Sequence, residues 1–519
     1  MRYSFKACLF TSGALLVLAA FTAGCGCDQG ATCLAAKAFA VATGGGGTVC
    51  PEDPVDGDVP EECGIWASSS RGDDANPGTQ DAPVKTLGRA LKLAQDEGGP
   101  MRVYACGEVF PETVEVEGAS MFGGFDCEHG WTWVGGERRA KIDGPAALAT
   151  MTLLESERLA LFGDLEIVAT DAITPGASAI AVFARAGAQA RFRRVDVVAG
   201  RGADGADGED GDHNGASAPQ GPGGVDGADA CTGDLGPGGV AAKASCGDGE
   251  ESISGEGGDG GEFAAMDGLD GLQLPDPNPQ NKGVGGKGES AAPAVLCTAG
   301  LSGAHGQDGQ NAFGGTGPGE LTSAGFVGAR GGDGQPGASG QGGGGGGGAL
   351  GFKCAGPLFG GAGGGSGGAG GCGGKGGKGG QGGGSSIGFA LLSQRIYAED
   401  VRITTGDGGN GGHGGFLQPG GQGGLPGYGG LGVGGADGPK SACAGGVGGK
   451  GGNGGNGGGG GGGHSAGVLH PPFITFWVSE PVSFVYGQAG AGGVGGDARS
   501  NAQTGAKGIR AHDVTVDGP

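Results

Sequence analysis

Long stretches of this chain place glycine at two of every three positions, and no other feature constrains the fold as strongly. The residues that stand between the Gly-Gly pairs in three such stretches are Ser366, Ala369, Cys372, Lys375, Lys378 and Gln381; Asp407, Asn410, His413 and Phe416; and Lys450, Asn453 and Asn456. Glycine brings no side chain to a core and loses the most backbone freedom on folding. With 139 glycines among 519 residues, the chain cannot be one ordinary globular domain.

The three-residue period suggests how these tracts become ordered. An extended helix of the polyproline II type has three residues per turn, so two glycine faces would pack against neighbours while every third side chain points to solvent. We therefore expect a bundle of tracts joined by backbone hydrogen bonds and pinned by disulfides. The alternative is a set of flexible glycine-rich linkers. A collagen triple helix over Gly202–Gly211 is not expected, because so few triplets without proline cannot sustain it.

Three segments of similar outline separate the tracts, namely Ser178–Gly200, Ser386–Gly406 and Ser465–Gly487. Each has small residues, an apolar strand, a turn, a second strand and a final glycine. An aspartate followed by alternating apolar residues recurs within or near them, at Asp164, Asp196, Asp400 and Asp513. The recurrence predicts stacked strands with a ladder of aspartates in left-handed turns, and glycine-rich insertions that leave one corner of the stack.

The segment Gly64–Asp126 predicts one short helix followed by strands. Leu87, Ala90, Leu91 and Ala94 form an apolar stripe at helical spacing, and Thr86 stands at the N-cap position. Strand-like runs follow at Met101–Ala105, Glu112–Val116 and Ser120–Phe122.

This segment resembles the N-terminal entry segment of bacterial pectin-lyase-like proteins. The resemblance is carried by Asp74, Asn76, Pro77, Gly78 and Thr79, by Ala82–Leu87, and by the turn Gly123-Gly124-Phe125. It implies an all-β fold, a right-handed parallel β-helix whose open end is capped by the helix Pro83–Gln95. The glycine-rich tracts resemble, in composition only, the repeats of mycobacterial PE-PGRS surface proteins. One fold hosts many activities, so the resemblance does not define the function.

The N-terminus predicts export and lipid attachment. Arg2 and Lys6 precede a short apolar run, and Ala23-Gly24 precede Cys25, which resembles a bacterial lipobox with Thr22 departing from its pattern. We expect a signal peptide over 1–24, a lipid on Cys25 that makes the membrane a partner, and an acidic tether over 25–63. The predicted location is the bacterial outer membrane or cell surface, and secretion without a lipid is the alternative.

Cysteine usage fits an oxidising compartment. Of the 14 cysteines, Cys8 falls in the signal and Cys25 carries the lipid, which leaves an even set for disulfides. The spacing suggests Cys106 with Cys127 and Cys50 with Cys63. No C-x-x-C occurs, so no metal-binding thiolate site is predicted.

These observations divide the chain into segments. We expect β-helix coils with the capping helix over 64–200, followed by glycine-rich insertions at 201–385, 407–464 and 488–507. Further coils lie between the insertions, at 386–406 and 465–487, and terminal strands lie at 508–519.

No catalytic residue is predicted. A polysaccharide lyase would need a basic residue beside acidic Ca²⁺ ligands, and the candidates are Asp196 with Arg193 and Arg194, and Asp400 with Arg395 and Arg402. Each aspartate is already explained as a turn residue, and each arginine as a solvated strand residue. Neither an EF-hand nor a nonapeptide calcium repeat is present, so no cofactor is predicted, and weak binding of Ca²⁺ is left open.

The overall charge and the segments above point to a role. A formal net charge of −24 argues against nucleic acid as a partner. Trp131 and Trp133 are expected in the core beneath the helix rather than as sugar-stacking platforms. The sequence therefore favours a non-enzymatic cell-envelope lipoprotein, a structural or adhesive scaffold whose partner is an extracellular glycan or matrix. The alternative is a polysaccharide-binding or polysaccharide-cleaving enzyme of the pectin-lyase-like fold.

Overall fold

A computed structural model describes residues 49–145, 149–212, 214–233, 235–247, 249–273, 275, 277–351, 354, 360–433 and 440–518. Within these ranges lie one α-helix, α1 (Leu87–Gln95), and single turns of 3₁₀-helix at Pro54–Asp56, Glu61–Cys63, Cys127–His129, Gly135–Arg138 and Asn501–Gln503. The strands are β1 (Ile65–Ala67), β2 (Arg102–Cys106), β3 (Val109–Phe110), β4 (Val114–Val116), β5 (Ser120–Asp126), β6 (Thr132–Trp133), β7 (Ala140–Gly144), β8 (Met151–Leu153), β9 (Ala160–Gly163), β10 (Leu165–Ala169), β11 (Ala179–Ala184), β12 (Gln189–Ala199), β13 (Lys243–Ser245), β14 (Glu251–Ile253), β15 (Ser290–Ala291), β16 (Ala294–Val295), β17 (Glu320–Thr322), β18 (Gly325–Val327), β19 (Ser386–Leu391), β20 (Arg395–Thr405), β21 (Ser465–His470), β22 (Trp477–Tyr486) and β23 (Arg510–Thr515).

Most of these strands belong to two parallel sheets. The first has 11 strands in the order β1-β2-β5-β9-β12-β10-β7-β3, with β20 joined to β12, β22 to β20, and β6 to β5. The second has six strands in the order β23-β21-β19-β11-β8-β4. Only the β5–β6 pair in these two sheets is antiparallel. Three small antiparallel hairpins, β13–β14, β15–β16 and β17–β18, lie within the glycine-rich part of the chain.

The prediction of a right-handed parallel β-helix is wrong. The described strands form a branched 11-stranded sheet and a six-stranded sheet with one helix, instead of a solenoid of repeated coils. Strand β12 explains the branching, because its first half pairs with β9 and its second half with β10 on the same side. On its other side β12 pairs with β20 along nearly its whole length. The sequence pattern predicts that strands end at the turn residues. In the structure β12 continues through its turn residue, so its two halves belong to one sheet.

The helix forms after the predicted N-cap Thr86 and ends at Gln95, but it begins at Leu87 rather than at Pro83. The Thr86 hydroxyl accepts a hydrogen bond from Arg89 N–H, as an N-cap does, and the helix buries Leu87, Ala90, Leu91 and Ala94. These side chains join the main apolar core between the two sheets. A separate aromatic cluster contains Trp66, Tyr104, Phe122, Phe125 and Trp131, with Trp133 partly buried against it. Trp131 is therefore a core residue as expected, but in a cluster distinct from the one that contains the helix.

The three repeated segments lie side by side. They supply β11 with β12, β19 with β20, and β21 with β22, and equivalent strands pair in parallel. Val182, Phe389 and Val468, for example, occupy one row across three neighbouring strands. The similar outline of the segments therefore corresponds to similar positions in the two sheets.

The glycine-rich tracts form an ordered lattice. The tract 362–384 lies at its centre, and its hydrogen-bonded neighbours among the described residues are 202–230, 407–431, 442–463, 331–349, 252–260 and 236–239. Bonds repeat every three residues, as when Gly374, Gly377 and Gly380 donate to Gly452, Gly455 and Gly458. The backbone hydrogen bonding expected between neighbouring tracts is present.

Glycine is required here because the backbones approach so closely. A Cβ atom added to Gly377 would lie well inside van der Waals contact with the carbonyl oxygen of Gly415 on a neighbouring tract. The expectation that every third side chain points to solvent holds only in part. Lys375, Lys378 and Gln381 are exposed, but Ser366, Ala369 and Cys372 are buried. The neighbours 236–239 and 252–260 bond to the central tract only as far as Gly370, so that half of the tract is more deeply enclosed.

Aspartates complete the hydrogen bonding at one edge of the lattice. Carboxylate oxygens of Asp204, Asp207 and Asp210 accept backbone N–H bonds of 2.6, 2.6 and 2.8 Å from the neighbouring tract 407–431. Asp226 and Asp229 do the same further along, at 2.7 Å each. These period-three side chains satisfy N–H groups that lack a carbonyl partner at the edge.

Five disulfides occur among the described residues. Three of them join glycine-rich tracts, namely Cys231–Cys354, Cys246–Cys372 and Cys297–Cys443. The other two, Cys50–Cys63 and Cys106–Cys127, are the pairs suggested by spacing. The last part of the predicted tether is packed rather than extended, because the Cys50–Cys63 disulfide closes it and Asp53 is buried.

Candidate functional site: an arginine and aromatic surface beside a buried ion cluster

Left-handed turn residues line up across the 11-stranded sheet. Asp164, Arg194 and Asp400 have φ values of 52°, 56° and 51°. The registers of β12 with β9 and with β20 place these three residues side by side. The ladder predicted from the sequence therefore contains Asp164 and Asp400, and its member on β12 is Arg194.

The other two predicted ladder residues lie elsewhere. Asp196 stands two residues beyond Arg194 in the extended part of β12, and its carboxylate forms an ion pair with Arg139. Asp513 belongs to β23 in the six-stranded sheet, where its Oδ1 lies 2.8 Å from Nε2 of His470. The sequence motif misplaced both because an Asp-apolar-x-apolar run also fits an ordinary strand.

The ladder supports a buried ion cluster. Arg194 donates from Nε to Asp164 Oδ1 at 3.0 Å and from Nη2 to Asp164 Oδ2 at 2.9 Å and Asp53 Oδ1 at 2.7 Å. Trp133 Nε1–H donates to the same Asp164 carboxylate at 3.1 Å, and Arg193 pairs with Glu399 at 3.1 Å. Asp53 and Asp164 are both buried. The acidic segment before β1 is thus held against the strands by arginines.

The charged and polar groups of this cluster are paired with one another, which suits a structural role. Burial alone would lower the pKa of the Arg194 guanidinium, but the hydrogen bonds and charges of Asp164 and Asp53 outweigh burial and raise it. Every carboxylate oxygen of Asp164 already accepts a bond from Arg194 or Trp133. Asp164 is also fully buried, so its carboxylate is not open to a substrate as that of a general base would need to be.

An open surface lies on the same strands, at the edge of the sheet. Arg191, Tyr397 and Trp477 occupy one row across β12, β20 and β22. The Arg191 guanidinium lies 5.7 Å from the centre of the Tyr397 ring. Trp477 is 54% exposed, and its indole N–H donates to the Gln394 carbonyl at 3.1 Å. That hydrogen bond fixes the indole while leaving much of the ring in contact with solvent.

Two depressions flank this row. One of about 290 Å³ is lined by Arg191, Tyr397, Glu399, Trp477, Val478 and Ser479. The other, of about 420 Å³, is lined by turn residues that include Glu155, Glu157, Gln189, Gln394 and Arg395. Aromatic faces beside planar polar side chains can stack on and hydrogen-bond a flat ligand such as a sugar ring. Neither Arg191 nor Arg395 has an ion-pair partner among the described residues.

Tyr397 and Trp477 were not predicted as surface residues of a site, because the aromatic candidates taken from the sequence, Trp131 and Trp133, lie near the helix. An alignment of the three repeated segments would have found them, since Arg191, Tyr397 and Trp477 stand at equivalent places in the second strand of each. The predicted candidates Arg395 and Arg402 fall on the same strand, β20. Only Arg395 lines one of the two depressions.

Two groups of residues have the spacing of a metal site within the described part of the chain. The first is Cys106, Glu108 and Cys127, but its two cysteines form a disulfide. Burial alone would raise the pKa of Glu108, but hydrogen bonds from Ser70, Ser69 and Ser68 outweigh burial and lower it, so this carboxylate is already engaged. The second is the exposed group Asp126, Glu128 and His129, in which Asp126 pairs with Arg138.

The predicted lipid-attachment residue, Cys25, lies outside the described residues. In the part of the chain that is described, no helix has the length and apolarity needed to cross a membrane.

Comparisons with protein-family models, with curated proteins and with solved structures gave no match to this chain.

Proposed function

We propose that this chain is an exported, lipid-anchored bacterial cell-envelope protein that acts as a non-enzymatic structural or adhesive scaffold. The observation that supports this role is the glycine lattice. Its central tract bonds to six neighbouring tracts, and three disulfides join tracts to one another. A backbone lattice of this kind resists bending without needing a large apolar core, which suits a stiff body held out from an outer membrane or cell surface.

Export is supported by the cysteines and by the leader. Disulfides persist in oxidising compartments, and ten cysteines pair in the described residues. The basic and apolar N-terminus with Cys25 would supply the signal and the lipid.

Hydrogen exchange on the purified chain tests the scaffold role. If the lattice is rigid in solution, backbone amides of 362–384, 407–431 and 442–463 will exchange far more slowly than those of a random coil. Amides of the exposed residues Ile173 and Thr174 provide the internal reference for fast exchange. Random-coil rates throughout the three tracts would reduce them to linkers and remove the basis of the proposal.

A second candidate function, binding of a polysaccharide, is favoured by the row Arg191, Tyr397 and Trp477. An exposed indole and an unpaired guanidinium on neighbouring strands suit the stacking and hydrogen bonding of a sugar chain. Binding is favoured over cleavage because Glu399, the carboxylate that lines the depression at this row, is paired with Arg193 at 3.1 Å.

Retention on immobilised polysaccharides tests this second function. We expect Trp477→Ala to lower the affinity at least tenfold for any polysaccharide that retains the native chain. Phe473→Ala is the matched control, because Phe473 is also exposed but lines neither depression. Equal retention of both variants would exclude the row as the binding site.

A further inference from the structure

Two rows of exposed apolar side chains stand on outer tracts of the glycine lattice. Row A contains Phe263, Met266, Leu269 and Leu272, and row B contains Leu425, Tyr428 and Leu431. Every member of both rows is more than half exposed. In each row the members are spaced by three residues, the period of the lattice itself. Exposed apolar surface of this extent usually marks an interaction site.

The two rows lie on opposite sides of the central tract. Ser366 C=O accepts from Gly427 N–H on the tract of row B, and the next N–H, that of Gly367, donates to Gly255. The C=O and N–H of one trans peptide point in opposite directions. Residues 252–260 are therefore opposite the row B tract, and the row A tract packs on their outer side, with Leu269 N–H donating to Glu256.

The rows also lie at the same level along the central tract. Tyr428 of row B follows Gly427, which bonds to Ser366. On the other side, Gly345 N–H donates to Leu269 of row A, and its neighbour Gly346 donates to Gly365. Tyr428 and Leu269 are thus both beside residues 365–366. A molecule placed next to another, without rotation, would bring row B of one against row A of the other.

We propose that rows A and B are the two halves of an interface between copies of this chain, which joins them side by side into an open array. Matching three-residue spacing lets the side chains of one row fit between those of the other. Contacts between two different surfaces form rings only when the rotation between copies closes, so copies related without rotation generate an extended assembly. The inference builds on the proposed scaffold role and names its partner, a second copy.

A lipid surface fits the rows less well. Asp226 and Asp229 flank row B, and Asp267 and Asp270 lie within the tract of row A, at the levels of the apolar side chains. Carboxylates at hydrocarbon depth are costly. In a contact between proteins they remain at the solvated rim.

The size of the contact indicates its strength. A handful of half-exposed apolar side chains per row gives roughly 800 Å² of buried area in total, below the 1,200–2,000 Å² of stable complexes. We therefore expect assembly that depends on concentration. Because the chain carries a net charge of −24, salt should strengthen it by screening the repulsion between copies.

Sedimentation of the full chain tests the proposal with two variants. The row A variant carries Met266→Gln and Leu269→Gln, and the row B variant carries Leu425→Gln and Leu431→Gln. Each variant alone should remain monomeric at concentrations and salt at which the native chain assembles. An equimolar mixture of the two should form dimers and nothing larger, because each pair retains one intact row A and one intact row B. The control Ile173→Gln replaces an exposed apolar residue outside the rows and should assemble as the native chain does.

Other outcomes would overturn the proposal. A native chain that stays monomeric at high concentration and high salt has no such interface, whether or not it binds phosphatidylcholine vesicles. Assembly of the row B variant by itself would mean that row A pairs with row A, which contradicts the open array. Slow hydrogen exchange in a monomeric native chain would leave the scaffold fold intact while removing the array, so the two proposals fail separately.

Discussion

At the scale of single residues, glycine allows backbones to approach closely. A few polar side chains then supply the hydrogen-bond partners that the neighbouring backbones do not. Within the lattice a carbonyl oxygen of the next tract lies where a Cβ would stand, as at Gly377. At the boundary with the sheets, His464 takes the same completing role as the edge aspartates. Its Nδ1 accepts Ile509 N–H at 2.9 Å, and its Nε2 lies 2.6 Å from Pro318 O.

Replacing one enclosed glycine should destabilise the lattice. Gly377→Ala would push a methyl group against the Gly415 carbonyl, and we expect a loss of about 3 kcal/mol, because a close-packed site has no room for an added carbon. Gly223→Ala is the matched control, since the nearest atom to its Cβ would be 3.6 Å away, an ordinary contact. Thermal unfolding of both variants measures the difference. Equal melting temperatures would mean that the tracts are not packed as described.

His464 should make stability depend on pH. Burial lowers the pKa of His464, and its hydrogen bond to the Pro318 carbonyl only partly offsets this. In the unfolded chain histidine takes up a proton near pH 6.5. The stability that neutral His464 contributes is therefore present above pH 6.5 and lost as the pH falls below it.

Melting temperatures between pH 7.5 and 5.5 check this expectation. His464→Gln keeps an acceptor for Ile509 N–H and a donor for Pro318 O, so its melting temperature should fall less over this interval than that of the native chain. His129→Gln, in an exposed turn, controls for the loss of a histidine. An identical pH profile for the native chain and His464→Gln would rule out the effect.

At the scale of elements, the tracts and the strands satisfy their backbone hydrogen-bonding groups in different ways. Strands satisfy their backbone groups with two neighbours in a sheet and bury alternate side chains, as β12 does between β20 and its partners β9 and β10. A tract turns its peptide groups in several directions and reaches up to six neighbours, so it needs almost no side chains. Its outermost N–H groups then need acceptors from side chains.

The aspartate ladder supplies these acceptors, which predicts a clear difference between two substitutions. Asp207→Ala removes the acceptor of His413 N–H and should cost about 1 kcal/mol, with faster exchange of that amide. Asp207→Asn keeps an oxygen in place and should retain most of the protection. If both variants leave the exchange of His413 N–H unchanged, the ladder bond does not form in solution.

At the scale of the whole molecule, the lattice is attached to the two large sheets because some tracts continue directly into their strands. Strands β19 and β20 follow the central tract directly in sequence, and β21 follows the tract 442–463. At the far end of the lattice, the described residues 360–365 bond to other tracts rather than to the two large sheets. Two of the three disulfides between tracts lie there, since Cys443 bonds to Gly365 and Cys231 to Gly360 through the backbone.

Reducing these disulfides should loosen the far end first. They close chain separations of 123, 126 and 146 residues, and loops of this length are each worth roughly 4–5 kcal/mol in the chain-entropy description. After reduction we expect amides near Gly365 to exchange faster than those near Gly383, which adjoins β19. Uniform acceleration along the tract, or unchanged exchange near Gly365, would contradict a specific role of these disulfides at the far end.

The sequence by itself determined what depends on near neighbours in the chain. Period-three glycine predicted hydrogen-bonded tracts, helical spacing after Thr86 predicted α1, and short separations suggested Cys50 with Cys63 and Cys106 with Cys127. The tertiary structure decided what depends on residues far apart in sequence. It merged the strands at β12 into a branched sheet in place of a β-helix, put Arg194 rather than Asp196 in the turn ladder, and set Arg191, Tyr397 and Trp477 in one row. The physical reason is that strand register, and hence which side chains meet, is set by pairing across segments that the chain separates by up to about two hundred residues.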